Sequence, residues 1–497
     1  FKTNSDTEVL LHSWYEWKEN CVDYFDGMYA FAIFDGKRLF LVTDPFCEKP
    51  LYVYFEKSAV YFASEPMPLI KYLKINKKLS KMEASYFLSF GFLPSPSTGF
   101  ANLQKMESAT IFSFDKPNSF KKKKYWKFPG QYIEKGKIAP YTKDEIFDFK
   151  EELIRSISLR LRADVNSGLF LSSGLDSALI AAIVSKELEY NLKTFTVSFS
   201  DGQNESEYAR LIANHLGLSN FQVDSRADSS WQNTPESLEN IYNIPNDNIT
   251  CLAFRQLSEF AKKHITVALC GMGGDELVFG YNKYHFLYKW RVLYNDWLRM
   301  TVLLKFFKPK IFKKFFIGNN LTRFINLKNG GVMQEDILEE LDFSKSLEKS
   351  FDDECLHIKA HKFDLNFTLQ ENYIPSVERA SMSQSLEVRS PFLSKNLFKI
   401  ISRIDQRKFF KFGQKSLFKL ILKDYLPDDL INKRKLGFVY PLGRYLKSVN
   451  NKILKNNSFF SKKIVDYFWK NRLKENFNRI ILRIMILEHF YSENRDN

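Results

Sequence analysis

The sequence lacks the features that would tie it to a membrane, a secretory route or a metal cluster. Its 497 residues contain no uncharged apolar run near the ~20 residues that span a bilayer. Nothing at its start reads as a signal peptide. The five cysteines (Cys21, Cys47, Cys251, Cys270 and Cys355) are scattered and odd in number, and no CxxC or Cys/His cluster appears. Neither a disulfide framework nor a zinc site is indicated, and a reducing, cytoplasmic setting fits. Cys21 and Cys47 read as lying in helix or strand context. Residue 1 is Phe rather than Met, so it is not expected to be the natural translation start.

Acidic residues are also scarce, 58 Asp and Glu against 73 Lys and Arg, for a net charge of +15. Such a balance invites a nucleic-acid or membrane-surface reading. The excess is local, however: ten Lys and Arg face one acid, Asp296, between Tyr281 and Ile325, among Trp290, Trp297 and several Phe. The expectation is a helical insertion with a solvated basic face and an aromatic core side, and no nucleic-acid partner. The rest of the composition, 44% hydrophobic and 26% charged, is that of a globular chain with room for two or three domains.

Along the chain, a helix over 7–17 precedes short alternating runs at 28–34, 38–42, 51–54 and 60–63, separated by turns such as Asp35-Gly36. These predict an antiparallel β-layer of hairpins, too few strands to close a sandwich alone. A connector with weak pattern, rich in Lys and Pro, is expected over 76–141, leaving a first domain at 1–75 and a last at 142–497. Beyond it the rhythm changes to helix 146–161, strand 168–171, a helix through Leu179 and Leu188, strand 194–199, a helix through Tyr208 and Leu216, and strand 265–269. Alternating β and α at this spacing predicts a parallel sheet with crossover helices, and the chain from 281 onward reads mostly helical.

Two turns carry chemistry. Leu171-Ser172-Ser173-Gly174-Leu175-Asp176-Ser177 sits where a strand passes into a helix, a place where small residues let N–H groups approach phosphate oxygens. No Lys stands where a Walker loop requires one, so the usual kinase cradle is excluded. On its own the segment also reads as a Ser-rich helix cap. The second, Cys270-Gly271-Met272-Gly273-Gly274-Asp275-Glu276-Leu277, again follows a strand. In a parallel sheet both turns open into one crevice, where Asp176 and Asp275 would be two oxygen ligands suited to Mg²⁺ on ATP phosphates. Taken alone, Asp275-Glu276 reads as a charge pair at a helix start.

Together with Glu378-Arg379-Ala380-Ser381-Met382, Glu387-Val388-Arg389-Ser390-Pro391-Phe392-Leu393 and Arg434-Lys435-Leu436-Gly437-Phe438, these turns occur in the order seen in asparagine synthetases. The chain resembles that glutamine-hydrolysing family over nearly its whole length. The resemblance implies an α/β fold: an incomplete N-terminal-nucleophile glutaminase β-layer, then a parallel α/β pyrophosphate-loop synthetase domain with a mostly helical C-terminal part. It implies an ATP-dependent ligase of asparagine biosynthesis that adenylates aspartate and forms the amide with ammonia, normally from glutamine, releasing AMP and pyrophosphate. ATP and Mg²⁺ are the implied cofactors, and a homodimer is a candidate assembly.

By the same resemblance Leu171, Val197, Cys270 and Gly271 hold the nucleotide, with Ser172, Ser173, Gly174, Asp176 and Ser177 at the phosphates. Lys435 matches a lysine that neutralises transition-state charge, although Lys433 and Arg434 beside it also allow an exposed basic run. Glu387 and Arg389 read as a structural ion pair. Asp6, in Asn4-Ser5-Asp6-Thr7-Glu8, matches the Asp that binds the glutamine α-amine, and also reads as part of a helix-capping box.

Several positions depart from the family. No N-terminal Cys is available as nucleophile, so the chain as given is expected to use free ammonium. Met272 replaces a usual acid beside the substrate, Thr43 and Cys47 replace the usual Arg and Gly around Asp44, and Ser394 replaces an Asp. Met272 keeps open another carboxylate, such as a sugar acid of a surface polysaccharide. An RNA-modifying pyrophosphate-loop enzyme and a silent scaffold are the remaining readings. The first should lack the 270–276 and 378–393 motifs, and the intact Asp176, Asp275 and Lys435 argue against the second.

Overall fold

The computed structural model describes residues 1–117, 119–130, 133, 136–199, 205–225, 234–289, 320–330, 332–333, 335–345, 347, 356–432, 442–449 and 459–492. The chain divides into two compact units, residues 1–75 with 102–129, and residues 76–101 with 130–497. The stretch expected as a connector is therefore shared: 102–129 returns to the first unit and supplies three of its strands.

In the first unit the helix Asp6–Trp17 leads into β1 (Ala30–Phe34), β2 (Leu39–Thr43), β3 (Tyr52–Phe55), β4 (Val60–Ala63), β5 (Leu103–Lys105), β6 (Thr110–Lys116) and β7 (Ser119–Lys124). Both expected hairpins form, with Ile33 opposite Phe40 and Val53 opposite Phe62. They do not share one layer. β1 and β2 belong to a sheet ordered β1-β2-β6-β7, while β3 and β4 pair with β5 in a second. Alternation along β2 explains the arrangement: Leu41 packs with Val53, Phe112 and Phe114 between the sheets, while Phe40 and Val42 pack with Trp14 and Cys21 on the other face. The later strands thus complete a sandwich that the first four could not.

The turn after β2 is built on Asp44, which is fully buried and accepts N–H bonds from Tyr29, Phe46, Glu48 and Lys49. Cys47 lies in this loop, not in a strand or helix, and its φ of 56° is the left-handed conformation that glycine adopts at least cost. At the other departure, the Thr43 hydroxyl donates to the Glu107 carbonyl at 2.6 Å.

The second unit is organised by five parallel strands in the order β10-β9-β8-β11-β12. These are β8 (Ser167–Phe170), β9 (Lys193–Phe199), β10 (Asn220–Ser225), β11 (Val267–Leu269) and β12 (Glu387–Arg389). Helices Leu175–Lys186, Glu205–Leu216 and Thr250–Ala261 lie between successive strands of the first four. β10 and β12 were not expected. The three-residue β12 is polar at both ends, and only its pairing with β11, 118 or more residues earlier, makes it a strand. Arg389 there ion-pairs with Glu387 at 2.7 Å and donates to the carbonyls of Arg160 and Arg162, the structural role expected of that pair.

After β11 the described residues are helical apart from β12, with a ten-residue π-helical stretch, Asp364–Tyr373, between helices Leu356–Phe363 and Ile374–Met382. Its wide turns put Asp364, Gln370, Glu371 and Asn372 inside the unit. Asp364 gathers Lys283, Lys328 at 4.0 Å and the Tyr284 hydroxyl. This corrects part of the expected solvated basic face: Lys283, at the start of the basic segment, is turned inward onto a buried carboxylate. Most of that segment, 290–319, lies outside the described residues.

Candidate nucleotide site at the ends of the parallel strands

Gly168 in β8 is closely packed: a Cβ there would stand 2.7 Å from Ile265 and 2.9 Å from Phe195. The strand then delivers Leu171 and Ser172 into a turn that the sequence closes on itself. The Ser172 N–H donates to the Ser177 hydroxyl at 3.1 Å, and the Gly174 N–H donates to the Ser172 hydroxyl at 3.0 Å. Gly174 precedes the helix Leu175–Lys186, so Asp176 and Ser177 fall in its first turn. That helix is apolar all round and fully buried from Ala178 to Val184, which fixes its N-terminus rigidly at the strand ends. Leu171 is tied sideways to β9: its N–H donates to Phe195, and its carbonyl accepts from the Thr196 hydroxyl.

β11 delivers the second turn beside the first. Cys270 donates its N–H to Arg389 and lies 3.1 Å from the Ser390 hydroxyl. The glycines that follow are explained by proximity. A Cβ on Gly271 would come within 2.8 Å of the Asp176 Cβ, and one on Gly274 within 2.6 Å of Asp176 Oδ1. Gly273 has a φ of 87°. The Gly-rich sequence lets Gly271 and Gly274 touch Asp176, 95 and 98 residues earlier.

Asp176 and Asp275 do converge, as the sequence predicts, and the cation between them is an ammonium. Lys415 Nζ lies 2.5 Å from Asp176 Oδ2 and 2.7 Å from Asp275 Oδ1, with its side chain 6% exposed. Burial opposes the Lys415 charge, but the two carboxylates outweigh it and hold its pKa above the usual lysine range. Lys415 has a φ of 52° just ahead of helix Ser416–Leu422. Two carboxylate oxygens aimed at one cation are donors that could hold Mg²⁺ in part, the remaining ligands coming from a bound phosphate.

The two turns open into a cavity of about 400 Å³. Phe170, Phe195, Val197, Phe254, Leu257 and Val377 line an apolar part, and Asn248, Thr250, Tyr281, Tyr373, Ser376 and Arg479 a polar part. Leu171, Ser172, Asp176, Ser177, Cys270, Gly271 and Asp275 all reach it, so one cavity gathers residues from both motifs and β9. Met272 reaches it as well. Glu276 is buried, and burial followed by the Asp275 charge raises its carboxyl to about 7. It accepts from the Tyr281 hydroxyl at 2.7 Å, while the His361 Nε2 donates to its backbone carbonyl at 2.6 Å.

Of the other expected site residues, Ser173 is buried in the first turn and Gly174 begins the helix. Lys435 lies outside the described residues, 433–441 being among those left out. Asp6 is exposed at the start of helix Asp6–Trp17 in the first unit. The capping expected of it falls to its neighbours: Ser5 accepts from the Thr7 N–H, and Glu8 accepts from the N–H groups of Lys2 and Thr3. Sequence reasoning missed Lys415, Tyr281, Tyr373 and Arg479. Lys415 is one of five lysines at Lys408, Lys411, Lys415, Lys419 and Lys423, and no local signal separates it from the others.

Comparisons with known proteins give the family. The asparagine synthase family model matches residues 148–492, and the glutamine amidotransferase domain model matches residues 1–126. Asparagine synthetase 1 (glutamine-hydrolysing) of Bacillus subtilis is 29% identical over 481 residues, covering 92% of this chain and 74% of the relative. Asparagine synthetase 3 of the same organism is 26% identical, covering 88% and 70%. Asparagine synthetase 2 of Bacillus subtilis is 31% identical over 302 residues, covering 57% and 40%. The chain belongs to the asparagine synthase family and is an ATP-dependent ligase.

Proposed function

We propose that this chain adenylates a carboxylate with ATP and converts it to an amide with ammonia, normally supplied from glutamine, releasing AMP and pyrophosphate. The observation that carries the reading is the meeting of Asp176 and Asp275 at one cation beside a half-apolar cavity. Leu171, Val197, Cys270 and Gly271 bind adenosine against the apolar wall, largely through backbone. The turn from Ser172 to Ser177, at the helix start, takes the phosphates. Asp176 and Asp275 would hold Mg²⁺, which supplies charge neutralisation on the phosphates when bound. The Lys415 ammonium, already desolvated, can exchange carboxylate oxygens for phosphate oxygens without leaving the site, and Lys435 adds a second charge. The carboxylate oxygen attacks the α-phosphorus and pyrophosphate departs. Ammonia then attacks the acyl carbon and AMP departs.

Aspartate is the first acid to expect. Met272 favours a second reading, because a thioether at the cavity wall can neither accept a proton nor hold an ammonium by charge. That reading has the same chemistry on another carboxylate, such as a sugar acid. Acid-dependent exchange of labelled pyrophosphate into ATP separates them. Exchange with aspartate above that with uronic acids supports the first reading, and the reverse order supports the second. Exchange with neither class contradicts both.

A further inference from the structure

The polar part of the cavity contains one cationic side chain among the described residues that line it, Arg479. It comes from the helix Glu475–Ser492, far in sequence from every motif. Among the described residues it has no ion pair or hydrogen bond, and its charge reaches the Tyr373 phenol. Arg483 lies one turn later on the same helix. Arg483 is 2% exposed, bonds Asp247 Oδ2 at 2.7 Å, and donates to the Leu88 carbonyl and to Asn329 Oδ1, each at 2.7 Å. Asp247 continues through Asn372 to Asn248, itself on the cavity wall. A buried network thus anchors the helix that brings Arg479 to the cavity wall.

We propose that Arg479 is the specificity-determining residue for the acid substrate. The carboxylate to be activated then belongs to a molecule with a second anionic group, carboxylate or phosphate, which this guanidinium holds. The inference rests on the carboxylate-activating reading above. The proposed phosphate-binding turn Ser172–Ser177 already has the Lys415 ammonium at Asp176, whereas Arg479 lines the cavity together with Asn248, Tyr281, Tyr373 and Ser376, hydroxyl and amide groups that suit a polar acid. Among the described residues no carboxylate is paired with it, so its guanidinium N–H groups are available to an incoming anion. Its fork also favours a planar carboxylate or a phosphate over a neutral group.

The test is calorimetric titration of the full chain, saturated with α,β-methylene-ATP and Mg²⁺, with succinate, 3-phosphonopropionate and butyrate. Wild type is expected to bind at least one dianion at least ~10-fold more tightly than butyrate. Arg479→Gln should remove that preference, Arg479→Lys should keep part of it, and neither should change affinity for the nucleotide analogue. The arm that binds more tightly says whether the second anion is carboxylate or phosphate-like. Equal or undetectable binding of all three acids overturns the proposal. So does a preference that survives Arg479→Gln, or analogue binding that weakens in that variant. The underlying reading fails separately, if ATP is converted to ADP.

Discussion

The turn at Asp44 and the turns that lead to Asp176 and Asp275 all follow a β-strand, and they satisfy their aspartates in opposite ways. Asp44 is enclosed and accepts four backbone N–H groups, each from its own neighbourhood. Nothing in that arrangement can exchange without unfolding the turn. Asp176 and Asp275 instead share one ammonium on a long side chain beside a cavity. A carboxylate held by backbone builds structure. A pair held by a movable cation is set to change partners. The same residue type at similar places therefore reads as scaffold in one unit and as site in the other.

The sharpest way to break that comparison is to remove each carboxylate. Asp176→Ala or Asp275→Ala should lower acid-dependent pyrophosphate release by at least ~100-fold with the fold retained. Asp44→Ala should leave turnover per folded molecule unchanged and lower the urea midpoint. Loss of catalysis in Asp44→Ala alone would reverse the assignment. Next in size is Gly274→Ala, whose Cβ would lie 2.6 Å from Asp176 Oδ1. It should reduce kcat/KM for ATP ~10-fold or more by displacing that carboxylate. Gly130→Ala, where an added Cβ meets nothing within 4 Å, should leave it unchanged.

The Asp44 turn also carries a pH signature. Burial outweighs the four N–H bonds and raises its carboxyl from 3.8 to about 6. The folded chain therefore keeps a proton that the unfolded chain releases, and stability falls as pH rises from about 4 through about 6. The loss from this group is about 3 kcal/mol at most. Urea unfolding across that range should show a weaker fall in Asp44→Asn than in wild type. An unchanged slope would mean that the N–H groups dominate. The smallest effect is expected at Met272, where Met272→Glu should improve aspartate-dependent pyrophosphate release by ~10-fold through an added charge contact. A drop would show that another residue faces the substrate amine.

What the sequence reveals depends on whether the cause is local. The two Gly-rich turns are legible because phosphate approach and loop contact both demand small residues at fixed offsets, and the crossover strands because alternation of β and α is a short-range pattern. Cys47 is legible only as a departure from what the resemblance implies, and its φ of 56° is the conformation glycine adopts at least cost. Lys415 is invisible in a run of lysines because its role is set by folding 239 and 140 residues from its partners. β12, the π-helical turn at Tyr373 and the inward Lys283 share that character. Each is decided by a partner distant in sequence, on which propensity has no bearing.

The central claim is that the Asp176–Lys415–Asp275 cluster serves cleavage of ATP between its α- and β-phosphates. Chromatography of the nucleotide products, with acid and ammonium in excess, tests it most directly. AMP and pyrophosphate in equal amounts, dependent on the acid, are the predicted result. ADP and orthophosphate as the main products would contradict it.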